Sequence, residues 1–150
     1  MTRQTPIEVG QLYFELFHRI RRLVDHEMSE AGLSLSRTKV LGVLAEQGPV
    51  KQAAVATCLG FAPRSVTDTL DALEREGLAT RSPDPRDRRA WLVEITPAGA
   101  VALERAVAVK KKAMTTIFGG LNRAEREQLA TLLAGISARL DSHLEAAHDK

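Results

Sequence analysis

From Val9 to Met28 apolar residues recur at helical spacing. Val9, Leu12, Tyr13, Leu16, Phe17, Ile20, Leu23, Val24 and Met28 share one broad stripe, which predicts a helix from Pro6 to about Glu30, with Pro6 suited to its first turn. Gly32 stops it. At 1.5 Å per residue the helix would run roughly 35 Å. That is longer than one small core requires, so the stripe is expected to meet another chain as well as its own. A second helix, with Ser36 as N-cap, carries Val40, Leu41, Val43 and Leu44 and breaks at Gly48-Pro49. A third, about Lys51 to Cys58, brings Ala53, Ala54, Val55 and Leu59 to the centre. Leu59-Gly60-Phe61 then turns the chain into a fourth.

The fourth segment is the most informative. Across Pro63 to Glu76, Val66, Leu70 and Leu73 recur on one face, while Arg64, Ser65, Thr67, Asp68 and Asp71 occupy the other. Gly77 closes the helix, as a residue tolerant of positive φ should. Leu78 to Ser82 and Arg89 to Thr96 read as two strands around the turn-forming run Ser-Pro-Asp-Pro-Arg-Asp-Arg. Thr96 caps and Pro97 opens a long helix through Val101, Leu103, Val107, Met114, Ile117 and Phe118, interrupted by Gly119-Gly120. Asn122 with Glu125 forms a capping-box pattern for a last helix striped by Leu129, Leu132, Leu133, Ile136, Leu140 and Leu144.

A polar-faced helix beside a basic hairpin has the outline of a winged helix-turn-helix. The expected fold is mainly α with a small β-wing. Residues 1–33 and 97–150 are expected to supply N- and C-terminal dimerisation helices, flanking a DNA-binding region at 34–96.

Composition narrows the reading without deciding it. The chain has 150 residues, abundant alanine and leucine and few aromatics, which favours helices over a sandwich or barrel. Its net charge is only +2, but Arg81, Arg86, Arg88 and Arg89 crowd one hairpin while acidic residues are spread along the helices. A single cysteine, Cys58, excludes an internal disulfide framework and fits a reducing cytoplasm. No stretch suits a membrane span, and the N-terminus has no signal-peptide pattern. Neither a serine-histidine-aspartate set, a phosphate loop nor clustered carboxylates appear at usable spacing, so an enzyme is not expected. A helical interaction protein that has lost DNA binding is the competing reading, and Arg64, Arg86, Arg88 and Arg89 argue against it.

Several spaced motifs then appear in order: Leu59-Gly60, Leu73-Glu74-Arg75-Glu76-Gly77-Leu78, Asp84-Pro85-Arg86-Asp87-Arg88-Arg89 and Thr96-Pro97-Ala98-Gly99. Together they closely resemble the MarR family of bacterial transcription regulators over nearly the whole chain. The resemblance implies a homodimer of triangular outline on a pseudo-palindromic double-stranded operator, its recognition helices in successive major grooves and its wings on flanking minor grooves. Family members usually repress their own and neighbouring promoters. Small, often aromatic or anionic effectors relieve that repression. No cofactor is implied.

Candidate roles follow residue by residue. Pro63, Arg64, Ser65 and Thr67 occupy the early positions of the recognition helix, where arginine can read guanine bidentately. Asp68 would repel phosphate; it can accept a hydrogen bond from cytosine or pair with Arg64 one turn away, and the pairing is preferred. Arg86 or Arg88 is expected in the minor groove, where narrowness deepens the negative potential. The family pattern assigns wing stiffening to Asp84 or Asp87 with Arg89. Ser36 and Arg37, with Lys39 nearby, can hold a phosphate at a helix N-terminus. Ala62 stands where the family usually has a capping serine or threonine, and Pro63 partly compensates by lacking the orphan donor.

By the same resemblance, an effector would lie between the dimer layer and each reading head, with Tyr13, Phe17 and Arg21 as candidate lining residues. Cys58 is expected as a buried apolar filler, since peroxide-sensing relatives carry their thiol in the first helix. His18, His26, His143 and His148 lack tight ligand spacing, so no metal site is assigned. Trp91 is expected to anchor the wing strand.

Overall fold

A computed structural model describes residues 4–148. The elements run α1 (Pro6–Glu30), α2 (Leu35–Gln47), β1 (Val50–Lys51), α3 (Gln52–Leu59), α4 (Pro63–Arg75), β2 (Ala79–Asp84), β3 (Asp87–Ile95), α5 (Pro97–Phe118) and α6 (Arg123–His148). Within α5 the chain divides into two compact units, the first ending at Ala113 and the second starting at Met114. No helix among the described residues is long and apolar enough to cross a membrane.

In the first unit, α1 opens with a full capping box. The Thr5 hydroxyl accepts the Glu8 N–H at 3.3 Å and the Glu8 carboxylate accepts the Thr5 N–H at 2.7 Å. Only Val24 and Met28 of its apolar stripe are buried, whereas Val9, Leu12, Tyr13, Leu16, Phe17 and Leu23 are about half exposed. The long helix therefore fills the core with its last turns alone. Asp25 ties that end to the next helix by accepting the Leu35 N–H at 2.9 Å.

Ser34, not Ser36, caps α2. Ser34 has extended backbone and its hydroxyl accepts the Arg37 N–H at 3.4 Å, leaving Ser36 inside the first turn. The boundary moves because Leu33 is buried beside it, fixing where the loop ends. Val40, Leu41, Val43 and Leu44 are buried as their spacing predicts. After Gly48 the chain forms a strand the pattern does not announce. β1 pairs antiparallel with β3 through Val50↔Val93 and Lys51↔Leu92, giving a three-stranded sheet in the order β1-β3-β2.

The short helix α3 buries Val55 and Ala56, while Ala53 and Ala54 are exposed, contrary to expectation. A helix of only eight residues presents one narrow face, and Val55-Ala56 takes it. Cys58 is likewise exposed rather than a core filler, its sulfur 3.7 Å from the Gln47 amide nitrogen. Gly60, at φ 63°, supplies the left-handed residue that caps α3 and starts the turn. Val66, Leu70, Ala72 and Leu73 of α4 close over this core.

The hairpin is longer and tighter than the sequence pattern suggests. Strand pairing extends to Asp84↔Asp87, so only Pro85 and Arg86 form the tip and Arg88 and Arg89 lie in β3. Pro83 is accommodated because β2 is an edge strand. At the base of the hairpin, the Thr96 hydroxyl donates to the Gly77 carbonyl at 2.6 Å and accepts the Gly99 N–H at 3.0 Å. Gly99 is buried so closely that a Cβ there would collide with the Leu78 carbonyl oxygen. One threonine and one glycine thus lock together the end of α4, the base of the wing and the start of α5.

The second unit holds the rest of α5 and α6. Asn122 accepts the Glu125 N–H at 3.0 Å and Glu125 accepts the Asn122 N–H at 2.8 Å, the reciprocal cap expected from the sequence. Leu132, Leu133, Ile136, Leu140 and Leu144 of α6 are about half exposed. His18, His26 and His143 are exposed. The side chain of His148 lies outside the described residues.

Candidate nucleic-acid interface

The exposed face of α4 begins at its N-terminus. Ala62 provides no side-chain cap, and Pro63 occupies the first turn, so the two together leave the helix start open toward solvent. Arg64, Ser65 and Asp68 are exposed. Arg64 and Asp68 form no ion pair among the described residues, so the intrahelical pairing expected for them does not occur. The i,i+4 spacing permits such a pair, but two exposed side chains gain little from it in water.

Thr67 is different. Its hydroxyl accepts from Gln52 Nε2 at 2.8 Å and donates to the Pro63 carbonyl at 3.1 Å. It therefore joins the first residue of α3 to α4, and much of its hydrogen-bonding capacity is taken inside the fold. Arg37 is also engaged internally, 2.9 Å from the Glu76 carboxylate, which fastens the start of α2 to the end of α4. Its expected phosphate contact would have to compete with that carboxylate. Ser36 sits beside it, exposed, and Lys39 Nζ lies 5.9 Å from the Phe61 ring centroid.

The wing is braced by two clusters. In the first, Arg81 reaches from β2 to α4, where its guanidinium pairs with Asp71, with Glu74 at 3.2 Å, and with the Thr67 carbonyl at 3.3 Å. The Arg81 side chain is only 15% exposed, so this cation is part of the fold rather than of the free basic surface. This sets it apart from Arg86, Arg88 and Arg89, with which it shares the hairpin. Two signals were available: Arg81 shares a strand face with Ala79, and Asp71 and Glu74 stand three apart on the helix opposite.

In the second cluster, Asp84 is buried and accepts the Arg86 N–H at 2.8 Å, while Asp87 accepts the Arg89 N–H at 3.1 Å. The cation for both carboxylates is Lys51 of β1, at 3.5 Å from Asp84 and 3.6 Å from Asp87. This corrects the expected pairing with the Arg89 side chain. β1 was not foreseen, and without it nothing points Lys51 at the hairpin. The Arg86 amide holds the Asp84 carboxyl below the usual aspartate range; burial works against this, and the Lys51 ammonium adds to it.

Arg86 therefore stands at the tip on a fixed backbone, and Arg86, Arg88 and Arg89 are all exposed. Arg88 and Arg89, as strand neighbours, point to opposite faces of the ribbon. Arg89 shares its face with Trp91, and both line a groove of about 400 Å³ with Lys51, Gln52, Pro63 and Thr67. Trp91 is about half exposed, so it lines this groove instead of anchoring the wing in the core. The strand outruns the core here: Val93 is buried, and two residues nearer the tip the same face is open.

On α1, Tyr13 and Phe17 stack with ring centroids 6.2 Å apart, and Arg21 is exposed nearby. Among the described residues no three histidine, cysteine, aspartate or glutamate side chains gather as a metal site.

A family model described as MarR family matches residues 33–91, from the loop before α2 into β3. The uncharacterized HTH-type transcriptional regulator YkoM of Bacillus subtilis is 31% identical over 142 residues, covering 91% of this chain and 92% of that protein. The HTH-type transcriptional repressor NicR of Pseudomonas putida is 26% identical over 126 residues, 84% of this chain and 80% of NicR. Among solved structures, that of Bordetella bronchiseptica BpsR, which concerns regulation of its DNA binding by 6-hydroxynicotinic acid, is 29% identical with a TM-score of 0.72. It covers 87% of this chain and 98% of BpsR. A braced hairpin beside an open-ended polar helix, a family match over that span and identity sustained along the chain lead to one conclusion: this protein is a transcriptional regulator of the MarR family and not an enzyme.

Proposed function

We propose that the chain is a homodimeric, sequence-specific repressor that reads a pseudo-palindromic operator with α4 in the major groove and the wing in the minor groove. The observation that carries this reading is the contrast among its basic residues. Arg37 and Arg81 are engaged within the fold, whereas Arg64 on α4 and Arg86, Arg88 and Arg89 on the hairpin are exposed. Arg64 and Ser65 would face base edges, with Pro63 and Ser36 close to phosphate and Thr67 and Asp68 at the margin. Arg86, at the tip, is the better candidate for minor-groove insertion, with Arg88 on flanking phosphate.

Residues 34–96 would act as the reading head and residues 1–33 and 97–150 as the dimerisation segments. Half-exposed apolar stripes on α1 and α6 support this, because a second copy would remove them from water. NicR's designation as a repressor supports the direction of regulation. BpsR's regulation by an aromatic acid supports a small aromatic or anionic effector, for which Tyr13, Phe17 and Arg21 are candidates. Such a regulator would work in the cytoplasm.

The test is a gel-shift titration against the tightest duplex recovered from a randomised pool, repeated across salt, with the mass of the free protein measured in parallel. A dimeric mass, and affinity falling steeply with salt through several phosphate contacts, are expected. A monomeric mass, or no duplex enriched over the starting pool, refutes the proposal.

A further inference from the structure

The wing tip is shaped by two carboxylates that have one cation between them. Asp84 and Asp87 are cross-strand partners closing the hairpin. Each accepts the backbone N–H of the residue two further on, Arg86 and Arg89 respectively, so each sets the direction in which one arginine leaves the backbone. Lys51 Nζ reaches both, at 3.5 and 3.6 Å. It does so from the two-residue strand that pairs with β3 and leads into α3.

We propose that Lys51 is the positioning residue of the wing, holding Asp84 and Asp87 in the conformation that orders the tip and aims Arg86. Two features support a positioning role over a direct grip on the duplex. First, the half-exposed ammonium already faces two carboxylates, at 3.5 and 3.6 Å, so a phosphate would have to compete with both for it. Second, the Asp84 side chain is only 6% exposed, and removing its cation would leave a nearly buried carboxylate next to that of Asp87. The tip would relieve this by turning Asp84 toward water, releasing the Arg86 amide. Lys51 also joins wing and helix-turn-helix in one step, because the same residue is the N-cap of α3.

This inference rests on the DNA-binding reading for its functional half and on the fold alone for its structural half, and the experiment separates them. Amide hydrogen exchange on the DNA-free dimer is the structural arm. In Lys51→Met, the Arg86 and Arg89 amides are expected to exchange at least about tenfold faster than in the parent while amides of α2 and α4 keep their rates. The functional arm is a double-mutant cycle with Arg86→Ala, read by gel shift on the duplex selected above. Lys51→Met should weaken binding about three- to tenfold in the parent and less than twofold in the Arg86→Ala background, with Lys51→Arg restoring most of the loss.

Unchanged exchange at Arg86 and Arg89 overturns the proposal. So does an affinity loss that is equal in both backgrounds and lowers the salt slope by about one, the behaviour of a lysine bound to phosphate. If the parent protein enriches no duplex, the DNA-binding reading fails by itself, and the exchange arm still decides whether Lys51 orders the tip.

Discussion

Replacing Arg81 by methionine removes a cation while keeping most of the apolar stem. The structure sets the size of the effect. Asp71 and Glu74 are 51% and 44% exposed, so each ion pair, screened by water, is worth about 0–1 kcal/mol. The bond to the Thr67 carbonyl is part-buried and charge-assisted, which adds about 1.5 kcal/mol. Together these give a loss of roughly 1.5–3.5 kcal/mol, with little cavity cost because methionine retains the stem. Denaturant unfolding at one fixed protein concentration measures it, since self-association of any kind makes apparent stability vary with concentration. The same brace joins the wing to the recognition helix, so affinity for the selected duplex should fall as well, at temperatures where the variant is fully folded. Arg81→Lys should recover less than half of the stability, because one ammonium cannot address two carboxylates and a carbonyl as a planar fork does. A midpoint shift equivalent to under about 0.5 kcal/mol, with DNA affinity unchanged, would refute the reasoning, because a surface substitution without a structural role behaves that way.

Three other perturbations probe separate parts of the construction. Gly99→Ala places a methyl against the Leu78 carbonyl, a backbone atom that cannot rotate away, and should cost about 1–3 kcal/mol by thermal or denaturant unfolding. Arg86→Ala and Arg64→Ala should differ in kind on a panel of single-base operator variants. The first should weaken all duplexes by a similar factor, and the second should relax discrimination at one position by about 1–3 kcal/mol. Asp84 has a lowered folded pKa, so its stabilising effect is complete above the ordinary aspartate value of about 4 and disappears as pH falls through the folded value. Between about pH 5 and pH 2, Asp84→Asn should therefore lose less stability than the parent, and parallel unfolding curves over that range would contradict the assignment.

The parts of this fold visible in the sequence are those decided locally. The recognition helix shows through Val66, Leu70 and Leu73, and the cap of α6 through Asn122 and Glu125, because periodicity and capping act over a few residues. The misses are decided by partners distant in the chain. β1 consists of two residues, and it is a strand only because Val50 and Lys51 meet β3. Its absence from the sequence pattern hid the lysine that neutralises the wing aspartates. Ser34 and Ser36 both precede an apolar run, and the burial of Leu33 chooses between them. The apolar character of Cys58 and Trp91 points inward, yet α3 has room for one buried face and β3 continues past its core. The candidate site follows the same division: Arg64, Ser65 and Asp68 are legible from helix phase and Asp84 and Asp87 from the wing motif, whereas their partner Lys51 and the Arg81 brace depend on segments distant in the chain.

Those braces explain how a chain of net charge +2 presents a basic surface. Charge matters to a polyanion only where it is not already answered, and this fold answers some cations and leaves others open. Arg37 meets Glu76, Arg81 meets Asp71 and Glu74, and Lys51 meets Asp84 and Asp87, so eight acidic or basic groups near the helix-turn-helix are engaged with one another. Each of these contacts joins segments that must hold a fixed spacing: α2 to α4, wing to α4, and wing to the start of α3. The exposed arginines are then held on a frame that cannot redistribute them. The frame itself then needs no ordering when a duplex binds, which leaves only the exposed side chains to be immobilised. It also means that weakening a brace should lower affinity without changing the number of phosphate contacts, so the salt slope separates this class of variant from the loss of a contacting arginine.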